Sequence, residues 1–202
     1  MNTIFNKGIE DRIATHIMSL FDAQQTELPY HNLHHTLDVF NRCKEIAAKC
    51  SLNETELFII KAAACFHDCG HLTGPALQHE ERSAAIMRRF LSAEGVEENI
   101  LQLIEACILA TRLPYKPASL PAEILCDADS YHLGTHEFPA SDDLVKKEFR
   151  LRNGFIPVDW NKMALELLEE HRFFTPYCIA LLSKGKELNI DFIRAKIRNN
   201  MS

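Results

Sequence analysis

The chain has 202 residues, 47% of them hydrophobic, and a formal net charge of −6. That length and apolar content suit one unit over residues 1–202 with a sizeable core, and leave little room for two full domains. The acidic balance gives no general attraction for nucleic acid or an anionic membrane, and no apolar run approaches the ~20 residues that a membrane span requires.

Helical periodicity dominates, and no segment alternates apolar and polar residues long enough to require a strand, so the expected fold class is all-α. Ile4, Phe5, Ile9, Ile13, Ile17, Leu20 and Phe21 trace one amphipathic face, closed by the Leu28-Pro29 turn. A second helix follows over about residues 32–49 and sets His31 and His35 one turn apart. Asn53 and Glu56 give the third helix a capping-box start, and its apolar body runs from Leu57 through Phe66 towards Gly70 with His67 and Asp68 in the last turn. Further helices are predicted over residues 79–94, 96–111, 121–133, 141–151, 159–173 and 176–197, separated by glycines and prolines. Residues 134–158 are the least regular, mixing Gly134, Pro139, Gly154 and Pro157 with a charged run, and are the expected place for a lid or substrate-facing loop. Lys146, Lys147, Arg150 and Arg152 of that run would close over an anionic substrate, or else form a solvated helix face around Glu148.

Seven cysteines, Cys43, Cys50, Cys65, Cys69, Cys107, Cys126 and Cys178, are odd in number and scattered through apolar segments. They read as reduced core thiols in a cytoplasmic protein, and the N-terminus has no pattern of a secretory leader. Cys65 and Cys69 lie a turn apart, but no second cysteine pair at suitable spacing supports a zinc-thiolate site.

The histidines are clustered: His31, His34, His35, His67, His71 and His79 all fall within residues 31–79, and Asp127-Ala128-Asp129 follows later. An aspartate at the end of so apolar a helix is costly unless something compensates its charge. One reading is structural, with His67 at a helix C-terminus and Asp68 capping a neighbour. The other adds His35 and Asp129, giving two imidazoles and two carboxylates that suit Mn, Fe, Zn, Co, Ni or Mg with positions open for water. His34, about 100° from His35 around the helix, points away from that face.

These motifs resemble the HD-domain superfamily of metal-dependent phosphohydrolases. Tyr30-His31-Asn32-x-x-His35-x-x-Asp38-Val39, His67-Asp68-x-x-His71, Ile108-Leu109-Ala110-Thr111 and Ala128-Asp129 are similar, in the same order, to motifs of cyclic-nucleotide phosphodiesterase catalytic domains. The size is closer to small single-domain bacterial HD proteins. The resemblance implies a compact HD/phosphodiesterase-like helical bundle, with the motif core over about 28–136 and a helical C-terminal part over 137–202. It implies that His35, His67, Asp68 and Asp129 bind a first divalent cation. Asp68 would offer its other oxygen to a second, with His71 and His79 beside it directly or through water. His31 would donate a proton to the leaving group, and Glu80, in His79-Glu80 ahead of Ser83-Ala84, would orient the attacking water. Glu80 and Glu81 also suit the first turn of a helix.

The implied reaction is hydrolysis of a small phosphate ester, a nucleotide or related phosphodiester or a phosphomonoester, by hydroxide generated at the cation. Arg112 stands where the phosphodiesterases carry aspartate; it offers a fork of donors to a substrate phosphate or simply ends a helix. Arg112, Lys146 and Lys147 are therefore the substrate-binding candidates. No purine-gripping glutamine or aromatic clamp is identified. A non-catalytic HD module that senses a nucleotide or metal and an HD-related di-iron oxygenase remain as alternatives, and a homodimer is compatible with the sequence.

Overall fold

The structure is a computed structural model that describes residues 7–199. Among the described residues there are nine α-helices and no strand: α1 (Lys7–Asp22), α2 (Leu33–Ala47), α3 (Glu54–Phe66), α4 (His79–Ala93), α5 (Glu98–Leu109), α6 (Leu120–Asp129), α7 (Phe138–Asn153), α8 (Trp160–Glu170) and α9 (Pro176–Asn199). Two 3₁₀ turns, Cys69–Leu72 and Tyr131–Gly134, follow α3 and α6. The fold class is all-α, as the periodicity predicts. Ile4 and Phe5 of the first amphipathic face lie outside the described residues. No helix among the described residues is long and apolar enough to cross a membrane.

The third helix is the axis of the bundle. Its capping box forms as expected, with Asn53 accepting from the Glu56 amide and Glu56 reaching back to the Asn53 amide. Phe58, Ile59, Ile60, Ala62, Ala63, Ala64 and Phe66 are all buried, so the helix is covered all round, by α1, α2, α4, α5 and α6. Burying each of the larger side chains contributes about 1.5–3 kcal/mol. The chain is still inside the core where the helix stops: His67 is 0% and Asp68 5% exposed. Both flanking helices pack on α3 and on each other. Asn32 caps α2 by accepting from the His35 amide, and Ser119 caps α6, which has proline in its first turn.

Several ends differ from expectation for local reasons. The α3 helix ends at Phe66, with His67 as its cap, and Asp68 leaves helical geometry for the 3₁₀ turn. The α6 helix ends at Asp129, short of the expected 133, again in a 3₁₀ turn. Within residues 134–158 the helix expected over 141–151 is longer, the 16-residue α7. Pro139 lies in its first turn, where a missing N–H costs nothing, and Gly154 closes it with φ 80. The punctuating residues therefore mark helix ends. A smaller core of Leu133, Phe138, Ala164, Leu168 and Ile193 unites α7, α8 and α9.

Gly70 sets the approach of the 3₁₀ turn to the start of α4. A Cβ on it would collide with the His79 carbonyl, and its N–H donates to Ser83 Oγ at 2.8 Å. Gly70→Ala is expected to destabilise by about 1–3 kcal/mol through overpacking, lowering Tm by roughly 2–4 °C per kcal/mol in a chain of this size. Thermal melts check this; an unchanged Tm would mean that the turn shifts freely.

Candidate metal centre

Three helix ends bring four ligand atoms together. His35 on α2 sets Nε2 3.2 Å from Asp68 Oδ2 and 3.3 Å from Asp129 Oδ1. His67 Nε2 lies 3.2 Å and 3.7 Å from the same two oxygens. One ligand atom from each of the four residues falls within 4.8 Å of the others. His67 Nδ1 donates to the Ala64 carbonyl at 2.8 Å, which leaves the Nε2 lone pair facing two carboxylates. That nitrogen is buried with no hydrogen-bond partner, as is His35 Nε2. Lone pairs and carboxylate oxygens so placed repel unless positive charge sits among them. The donor set of two imidazoles and two carboxylates fits a divalent first-row cation or Mg.

The titration behaviour expresses the same demand for positive charge. Burial pushes His35 down, but the Asp129 and Asp68 carboxylates outweigh it and lift the ring to about 9. His67 is raised against its burial by the same two partners. Burial pushes Asp68 and Asp129 up, while His67 and His35 hold both below the ordinary carboxylate range. A proton and a cation thus compete for the same nitrogens.

Asp68 turns its other oxygen to a second group, Asp68, His71 and His79. His79 Nε2 is 3.5 Å and His71 Nε2 4.0 Å from Asp68 Oδ1. The tautomers separate these two histidines. His79 Nδ1 donates to the Ala76 carbonyl, so its Nε2 keeps a lone pair and can ligate. His71 Nδ1 is 3.2 Å from Arg152 Nη2, and a guanidinium only donates, so the His71 proton resides on Nε2. Burial, and then the neighbouring His31, push His71 down to about 2, which keeps the ring neutral. In this tautomer His71 Nε2, which has no hydrogen-bond partner, presents a proton and not a lone pair beside Asp68.

His31 completes the arrangement. Its ring stacks on His71 at 3.9 Å, and His71 stacks on His79 at 3.9 Å. His31 Nδ1 meets Glu148 Oε1 at 2.7 Å, while Glu148 Oε2 accepts from the Tyr30 and His31 amides at 3.0 Å. Arg152 Nε donates to Glu148 Oε1 at 3.0 Å. Glu148 is buried, which pushes it up, but hydrogen bonds from His31 and the backbone bring it down to about 2. It is ionised at neutral pH, and it leaves His31 Nε2 as the nitrogen available to a substrate.

A cavity of about 650 Å³ opens over these groups and is lined by His31, Asp68, His71, His79, Glu80, Arg112 and Asp129 among others. His35 lines a neighbouring cavity of about 320 Å³, and His67 lies fully buried behind. Arg112 reaches Glu80 at 3.7 Å and pairs with Glu81, so its charge is already met by carboxylates. His34 is exposed beside Asp38. Lys146 and Lys147 do not line the cavity, and Lys147 pairs with Glu27 at 2.6 Å. The reason is rotation: α7 turns Glu148 and Arg152 inward, and at about 100° per residue the two lysines face elsewhere. The sequence offered Lys146 and Lys147 of this run as substrate contacts, or the whole run as a solvated face, and not Glu148 as a buried partner of His31. Its readable signal is the stripe Phe138, Asp142, Val145, Phe149 and Arg152, which carries Glu148 along its flank. Tyr115 was also missed; its hydroxyl lies 3.4 Å from Asp129 Oδ2.

An all-helical bundle with a buried histidine–aspartate site at the end of its central helix defines the class of protein. The HD domain family matches residues 32–134, and the chain belongs to that family. It is also similar in fold to a solved structure, a predicted HD superfamily hydrolase from an uncultured Thermotogales bacterium. That likeness has a TM-score of 0.60 and 20% identity, over 94% of this chain and 91% of the other. No curated protein matches the sequence.

With His35 held at about 9, a cation binding at pH 7 displaces its proton, so affinity rises with pH and levels off above about 9. Calorimetry of metal binding at pH 7 in buffers of different ionisation enthalpy is expected to read about one proton or more released per cation. Binding without proton release would contradict the compensated-charge account.

Proposed function

We propose that this chain is a metal-dependent hydrolase of small phosphate esters, a nucleotide or related metabolite being the best-fitting class. The observation that carries the reading is His31, held through Nδ1 by the buried Glu148 carboxylate, with its ring 6.0 Å from that of His35 in the four-residue cluster. Membership of the HD family supports it, as does the hydrolase description of the Thermotogales protein.

His35, His67, Asp68 and Asp129 would hold a divalent cation, with Asp68 and His79 available to a second. Bound there, such a cation supplies charge to neutralise phosphoryl oxygens and lowers the pKa of a water molecule. His31 supplies the other half of the chemistry. With Nδ1 engaged by Glu148, it would give an Nε2 proton to the departing alkoxide oxygen, an effect of about 10²–10⁴-fold. Glu148 fixes the ring through Nδ1 and keeps Nε2 directed at the leaving group. Neutral His71 donates its Nε2 proton in a hydrogen bond to a phosphoryl oxygen. Glu80, on the cavity wall and 6% exposed, orients the attacking water. The acid that protonates the leaving group and the carboxylates that hold the cation are thus separate residues.

His31→Ala is expected to keep its metal content and lose about 10²–10⁴-fold in turnover, whereas Asp68→Ala loses both. A screen of phosphomonoesters and phosphodiesters with Mn, Mg, Fe, Co and Ni, paired with metal analysis, checks this and decides between monoesterase and diesterase. Full activity in His31→Ala would reject its role as the acid. A wild-type protein that binds ligands without turning any over would reject hydrolysis in favour of a sensing module.

Glu148→Gln tests the positioning role separately. The amide oxygen still accepts from His31 Nδ1, but the charge is lost, so kcat is expected to fall by less than in His31→Ala with KM little changed. An unchanged kcat would show that the pair is only structural.

A further inference from the structure

The cavity over the metal centre meets a second one. Leu113, Tyr115 and Leu167 line both, and the second, of about 470 Å³, is walled further by Pro114, Met163 and Phe174. The metal cluster occupies one end of the combined space and would take a phosphate. The Tyr115 end has no catalytic group assigned to it.

His171 also lines this second cavity, at 5% exposure. Its partners settle where its proton is. Ser130 Oγ donates to the Cys126 carbonyl at 2.7 Å, so in its 2.9 Å contact with His171 Nε2 it accepts. The ring proton is therefore on Nε2, and Nδ1 carries a lone pair with no hydrogen-bond partner. Burial, and then Lys186, push the ring down to about 3, so it stays neutral. A buried acceptor left in this way is costly unless a donor reaches it.

The charges restrict the ligand further. Among the described residues, Arg112 and Arg172 are the only Arg or Lys side chains lining the two cavities, and Arg112 is held by Glu80 and Glu81. Against them stand Asp68, Asp129, Glu80, Glu81, Glu166 and Glu170. A substrate with further phosphates would meet like charge along this path.

Resting on the phosphohydrolase reading, we infer that the compartment beyond Tyr115 is the subsite for the alcohol half of the substrate. It takes a ring-sized, largely apolar group that bears no further phosphate and offers a hydrogen-bond donor to His171 Nδ1. The apolar walls supply most of the affinity, and His171 selects for the donor.

The test uses 1-naphthol, which has a ring system and an O–H donor but no phosphate, and 1-methoxynaphthalene, which lacks the donor. Binding to the full chain is titrated by saturation-transfer NMR, in wild type and in Met163→Trp. Met163 is 47% exposed on α8, so the larger ring narrows the compartment from its rim, and an unchanged Tm verifies the fold. The inference expects saturable naphthol binding, about tenfold weaker for the methyl ether and about tenfold weaker in Met163→Trp. Absent naphthol binding, equal affinity for the two probes, or binding indifferent to Met163→Trp would overturn it. The reading beneath it is tested apart, with 1-naphthyl phosphate and methyl phosphate on the metal-loaded protein. Naphthol binding without hydrolysis of either ester removes the phosphohydrolase and leaves the subsite. Hydrolysis of methyl phosphate without naphthol binding does the reverse.

Discussion

Two carboxylates, Asp68 buried and Asp129 partly buried, govern this structure. Asp68 emerges from the end of a helix packed on every side, and Asp129 ends a second helix beside it. An uncompensated charge at such depth costs several kcal/mol, and two of them side by side cost more. The histidines at 35 and 67 answer that cost, with a proton or with a cation, and the packing of α2, α3 and α6 exists in a form that lets them do so. The fold and the site are therefore one constraint: a helix apolar enough to be central necessarily delivers its last residues into low dielectric, where an ionised side chain demands a partner.

Residues beyond the family match are tied into the same arrangement. Asp127 and Asp129 lie two positions apart on α6, about 200° around the helix, and so face opposite ways. Asp129 faces the histidines. Asp127 accepts from the Phe174 and Thr175 amides and from Thr175 Oγ1, at 2.7–2.8 Å, and so holds the start of α9. Glu45 on α2 accepts from Tyr131 and from Tyr177 of α9 at 2.9 Å and 2.8 Å. Together with Glu148 on α7, these contacts make the C-terminal helices a wall of the site, which is why the second cavity lies between them and the motif core.

Much of this was legible in the residues, for identifiable reasons. The capping box at Asn53 and the apolar run to Phe66 are local signals, and the burial of His67 and Asp68 follows from them. The grouping of His35 with Asp129 rested on ligand chemistry and family likeness, since no local rule brings residues so far apart together. What escaped was rotational. Glu148 and Arg152 sit in a run of mixed charge that looks solvated until the phase of α7 is known, and that phase is set by Phe138 and Asp142 packing against other elements. The same run misled about Lys146 and Lys147. Between Gly134 and Gly154 the helix expected over 141–151 runs further at both ends, because turn residues mark boundaries without saying how closely the regular chain approaches them.

The histidines around Asp68 show how one residue type is given different tasks. In each case the far nitrogen decides. A backbone carbonyl behind His67 and another behind His79 take the Nδ1 proton and leave Nε2 a lone pair, the state of a ligand. Behind His31 stands a carboxylate, Glu148, which engages Nδ1 and leaves Nε2 as the other face of the ring. A guanidinium behind His71 does the opposite, since it can only donate, and so fixes the proton on the side of the cavity. Because Arg152 touches both Glu148 and His71, one side chain from α7 helps to set two neighbouring rings. The number of cations such a site could hold then depends less on how many histidines surround it than on which of them have a carbonyl at their back.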